Sequence, residues 1–114
     1  MANRVSLPKD GNFVSVDLTP AAVALEETYD ATVSASTEIT LNTATTYIEV
    51  AAIDKAVFMK WGTTDASSTD WDVVITANTV RRFFVPIDNA TGALYTAVNF
   101  IEQAATAILA VSEF

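Results

Sequence analysis

The sequence predicts an all-β protein: an antiparallel β-sandwich or jelly-roll-like barrel of about eight strands with an irregular N-terminal arm. Three observations carry this reading. First, Tyr29, Ala31, Val33, Ala35, Ile39 and Leu41 alternate with Asp30, Thr32, Ser34, Ser36, Glu38 and Asn42, the period of two that marks half-buried β structure. Second, short runs rich in Val, Ile, Phe and Thr recur along the chain with brief polar links between them, the spacing of antiparallel all-β folds. Third, 114 residues with 51% hydrophobic content suffice for one domain with its own core.

The elements follow in chain order. Residues 1–12 contain Pro8 and Gly11 and hold no sustained period, so they read as an arm ahead of a single domain at 13–114. In FVSVDL (13–18), Val14, Val16 and Leu18 alternate with Ser15 and Asp17, a strand with one wet face. TPAAVALEE (19–27) offers Thr19 as an N-cap and Pro20 at the first helical position. A short helix there would place Glu26 and Glu27 at the unfavourable end of its dipole. The alternating run 29–42 is long for one strand, and a bend is expected near Ala35-Ser36-Thr37.

Strands are then expected at TYIEVAAI (46–53), KAVFMKW (55–61), WDVVIT (71–76) and VRRFFVPI (80–87). Pro86 belongs at a strand end or an edge, because it cannot donate to a ladder. Asp88-Asn89-Ala90-Thr91-Gly92 reads as a turn with Gly92 available for positive φ. ALYTAVNFI (93–101) and ATAILAVSEF (105–114) complete the set. Phe100, Ala104, Ile108 and Val111 also stand at near-helical spacing, but the β-branched residues and Thr favour strands.

Composition restricts the chemistry. The chain has no Cys and no His, which removes thiolate and imidazole catalysis and the metal sites built on them. Fourteen acidic against six basic residues give a net charge of −8, unsuited to nucleic acid, which is bound through clustered Lys and Arg. Arg81-Arg82, the one basic pair, points to opposite faces of a strand. No stretch approaches the roughly 20 apolar residues of a membrane span, and the first residues lack a signal-peptide core. The expected address is the cytoplasm, or an assembly that matures there.

Several groups of residues are candidate sites. KWGTTDASSTDWD (60–72) presents Asp65, Asp70 and Asp72, oxygen ligands of the kind calcium accepts. Its spacing departs from the EF-hand pattern at Ser67, and the simpler reading is a hairpin loop opened by Gly62. A pair of carboxylates for glycoside hydrolysis is conceivable, yet Glu38 and Glu49 sit where strand positions face solvent. No base accompanies a Ser or Thr nucleophile. No catalytic, cofactor or metal residues are therefore assigned, and no enzyme is expected. Trp61 and Trp71 are positioned to face each other across a hairpin; either is also suited to an interface. KAVFMKW and VRRFFVPI are apolar on both faces, which points to burial against another subunit.

From Thr46 to Phe114 the chain resembles small virion proteins of tailed bacteriophages. The resemblance lies in TYIEVAAI, the KAVFMKWG strand ending in Trp-Gly, RRFFVP after a short turn, and the late NFIEQAATAILAVSEF. It implies a non-enzymatic β-sandwich located in the virion and assembled in the host cytoplasm, most simply a capsid decoration or cement protein. The implied partner is the major capsid protein or a neighbouring virion protein, and the implied state a homo-oligomer, with a trimer favoured. Arg4, Val5 and Leu7 of the arm would contact the shell, and Met59, Trp61 and Phe84 would pack subunits. The alternatives are a head–tail, tail or fibre-associated structural protein, and a carbohydrate-binding sandwich using Trp61, Trp71 and the Asp65–Asp72 loop.

Overall fold

The computed structural model describes residues 24–31 and 33–114. The arm at 1–12, the strand expected at 13–18 and the start of the optional helix lie outside the described residues. Eight strands follow: β1 (Glu26–Asp30), β2 (Thr37–Thr40), β3 (Tyr47–Ile53), β4 (Val57–Trp61), β5 (Val73–Ile75), β6 (Thr79–Phe84), β7 (Ala97–Glu102) and β8 (Ile108–Glu113). They form two four-stranded sheets, a first in the order β1-β8-β3-β6 and a second in the order β2-β7-β4-β5. Every pairing is antiparallel.

The order has a simple origin. β4 pairs with β5, β3 with β6, β2 with β7 and β1 with β8, the pattern of one long hairpin. That ribbon is wrapped so that successive pairs fall in opposite sheets, and β3–β8 and β4–β7 pairings close them. The result is the eight-stranded jelly roll. The tip of the ribbon is the 62–72 loop.

Between the sheets lies the core. Ile48, Val50 and Ala52 of β3 and Leu109 and Val111 of β8 meet Val57 and Met59 of β4 and Val98 and Phe100 of β7, all buried. Burial of each large aliphatic or aromatic side chain contributes about 1.5–3 kcal/mol. The alternation at 29–42 divides where the chain crosses from β1 to β2. Val33, Ile39 and Leu41 are buried, while Tyr29 is 68% exposed, so the phase reverses at the crossing.

The C-terminal segment is two strands, as its β-branched residues and Thr favour, and its near-helical spacing is incidental. Boundaries differ from expectation elsewhere. Glu26 and Glu27 open β1 and end no helix. Residues 93–96 precede β7 without joining it. Pro86 stands two residues beyond the end of edge strand β6. Asp88 Oδ1 accepts the Ala90 N–H, and Gly92 takes φ +74°, as a turn at 88–92 requires.

Candidate contact surfaces

Arg4, Val5 and Leu7 lie outside the described residues. Met59 is fully buried against the core, which corrects its assignment to subunit packing. Its side chain shares the inner face with Val57, and only Phe58 and Lys60 of β4 point outward. Trp61 is half-buried on that inner side, stacked on Tyr95 at 6.1 Å and edge-on to Phe83 at 6.5 Å. It closes the core and offers no aromatic platform. Phe84 is 81% exposed and lies on the outer face of the first sheet.

The tryptophans do not face each other. Continued register from Met59↔Val73 would oppose Trp61 to Trp71, but the ladder slips by one residue. The Asp72 N–H donates to Met59 O at 2.8 Å, and Asp72 Oδ2 accepts the Trp61 N–H at 2.8 Å. The carboxylate thus replaces a ladder acceptor, and Trp71 stacks on Phe58 at 5.7 Å on the outer side. This separation removes the sugar-stacking pair that a carbohydrate site would use.

Two of the three 60–72 carboxylates, Asp70 and Asp72, are engaged in structure, while Asp65 is exposed. Lys60 Nζ lies 3.0 Å from Asp70 Oδ1. That hydrogen bond, with the charges of Asp70 and Asp72 added, raises the Lys60 pKa against the opposing effect of desolvation. A raised lysine contributes below its ordinary range and loses that contribution as pH climbs through the folded value, so Lys60 stays charged at neutral pH. Among the described residues no group of three or more His, Cys, Asp or Glu is placed to hold a metal. Glu38 and Glu49 lie on the outer faces of different sheets, Glu49 Oε2 accepting the Arg82 Nε–H at 2.9 Å.

Two buried polar hubs fix the loops. Asn99, fully buried, donates through Nδ2 to Gly62 O at 2.9 Å and accepts the Ser36 hydroxyl at 3.0 Å. Ser36 in turn accepts the Ala66 N–H at 3.0 Å. The ribbon tip is therefore folded onto the outer face of the second sheet. Asn99→Ala should free this loop and cost about 1–3 kcal/mol, the usual penalty for stranded buried partners. Faster amide exchange at Ala66, alongside a lowered melting point, is the expected readout.

The second hub is Glu113, whose Oε1 accepts the Asn42 N–H at 2.8 Å and the Thr45 hydroxyl at 2.7 Å. It secures the turn between β2 and β3. Beside that turn is a cleft of about 250 Å³ whose lining includes Leu41, Asn42, Thr45, Val85, Leu94 and Tyr95. It is smaller than ordinary small-molecule sites, about 300–1,000 Å³, and its lining carries no charged side chain.

The largest exposed apolar groups gather elsewhere. On the outer face of the first sheet, Tyr29, Ala110, Ala51 and Val80 form one row across the four strands. Glu27, Ser112, Glu49 and Arg82 form the next. Beyond it Phe114 stacks on Tyr47 at 5.1 Å, and Phe84 meets Tyr47 edge-on at 5.9 Å. Tyr29, Val80 and Phe84 are each more than half exposed. Sequence reasoning singled out Phe84 but neither Tyr29 nor Val80, although Val80 stands at the same parity as Phe84 in VRRFFVPI.

No family model, curated protein or solved structure matches this chain.

Proposed function

We propose that this protein is a non-catalytic structural subunit of a tailed-phage virion, most directly a decoration or cement protein bound to the outside of the capsid. The observation that carries the reading is the exposed aromatic and aliphatic outer face of the first sheet. Exposed apolar side chains on both sides of a charged row suit a contact site with a polar component, and they accompany the jelly-roll order also used by viral capsid domains. The fold is compatible with many functions, so the face weighs more than the topology. A subunit that binds the assembled shell and not its free components stabilises that shell by mass action.

The test is immunogold labelling of particles purified from cells that carry this sequence, using antibody raised against the folded chain. Regularly spaced label over the shell is the expected result. Label confined to neck, tail or fibres would instead favour the head–tail or tail-associated role. Purified particles without label would overturn the virion assignment altogether.

A further inference from the structure

We propose that the outer face of the first sheet is a self-complementary interface with a second copy of the chain, related by a two-fold axis parallel to the strands. The inference concerns the same face on which the virion reading rests and assigns it to contact between copies; it follows from strand register, exposure and charge and is tested without particles. An axis along the line between β8 and β3 keeps each row of residues in place while exchanging the two halves of the sheet. β1 of one copy then lies over β6 of the other, and β8 over β3.

The consequences are specific. Tyr29 falls over the partner's Val80, and Ala110 over the partner's Ala51, whose small side chains allow close approach at the centre. Glu27, exposed on one edge strand, falls over the partner's Arg82 on the other, and symmetry repeats the pair. A guanidinium carries five N–H donors, so Arg82 can hold Glu49 of its own chain and Glu27 of the partner together. An axis across the strands reverses the rows: placed between them it sets the charged row against the Tyr29 row, and placed along the charged row it sets Glu27 on Glu27 and Arg82 on Arg82. Only the axis along the strands matches apolar with apolar and positive with negative.

Four strands about 4.8 Å apart, with about six residues of 3.4 Å each, give a face on the order of 300–400 Å² in plan. Counted over both partners that is about 600–800 Å², below the range of stable specific interfaces, so the dimer is weak, reversible and concentration-dependent.

The experiment is sedimentation of the full chain, of Glu27→Arg and Arg82→Glu alone, and of the two variants mixed in equal amounts, with circular dichroism confirming that each is folded. The wild type should dimerise reversibly. Each variant alone should dissociate at least about tenfold more readily, because two like-charged contacts replace two attractive ones. The mixture should recover association. In a mixed pair, one contact joins the two substituted positions with their charges exchanged. The other keeps the native Glu27, from the Arg82→Glu chain, against the native Arg82, from the Glu27→Arg chain.

A wild-type chain that stays monomeric, variants that associate unchanged, or a mixture that fails to recover would each overturn the two-fold interface. A stable trimer, the state implied by the resemblance, would overturn it as well. Dimerisation of residues 24–114 but not of the full chain would assign the face to residues 1–23 of the same chain.

Discussion

Met59→Lys abolishes the folded domain. Met59 is fully buried in β4, opposite Val73 on one side and Phe100 on the other. Lysine has nearly the same length but brings an ammonium into a layer of aliphatic and aromatic side chains. It must shed its proton or carry an unpaired charge. Displacing a buried lysine pKa by up to 3–5 units corresponds to about 4–7 kcal/mol, against total domain stabilities of about 5–15 kcal/mol. Loss of the cooperative thermal transition, or a midpoint lowered by tens of degrees, is the expected measurement. Phe84→Asp is the contrast. Phe84 is exposed and gives up mainly its edge contact with Tyr47, worth about 0.5–1.5 kcal/mol, so the variant should melt near wild type. A Met59→Lys chain that melts like wild type would contradict the placement of β4.

Glu113→Ala carries the second large effect. The carboxylate is buried and accepts from both the Asn42 N–H and the Thr45 hydroxyl. Truncation strands two donors, each unsatisfied group costing about 1–3 kcal/mol, so the loss should total about 2–6 kcal/mol. Glu113→Gln retains an acceptor oxygen and should recover most of the stability. Amide exchange at Asn42 should quicken in the Ala variant and change little in the Gln variant. Equal destabilisation by both would show that the charge matters and the acceptor does not.

The fold was legible because its signals are local. A period of two, short turns and Pro86 at a strand end are properties of a few neighbouring residues, and they located most strands within a few positions. Facing was harder to read. Tyr29 continues the alternation of Val33 and Ile39, yet the β1–β2 crossing reverses the phase and leaves it in solvent. Trp61 and Trp71 occupy matching hairpin positions, but the Asp72 carboxylate intrudes into the ladder and sends them to opposite faces. Met59 read as surplus apolar surface because the sequence of β4 does not say which of its two faces meets the second sheet.

The two hubs were invisible for a similar reason. Asn99 and Glu113 gain their partners from segments up to 71 residues away in the chain, and nothing near either residue signals a buried polar role. The outer face of the first sheet could be assembled only once the order β1-β8-β3-β6 was known, because its charged row draws one residue from each strand.

A high-resolution cryo-electron microscopy map of native particles, from cells that carry this sequence, puts both the virion role and the contact face at risk together. Copies of the jelly roll should stand on the capsid exterior, with the outer face of the first sheet buried and Tyr29 of one copy beside Val80 of the next. Particles that lack the chain, or copies whose Tyr29, Val80 and Phe84 remain bare to solvent, would contradict this.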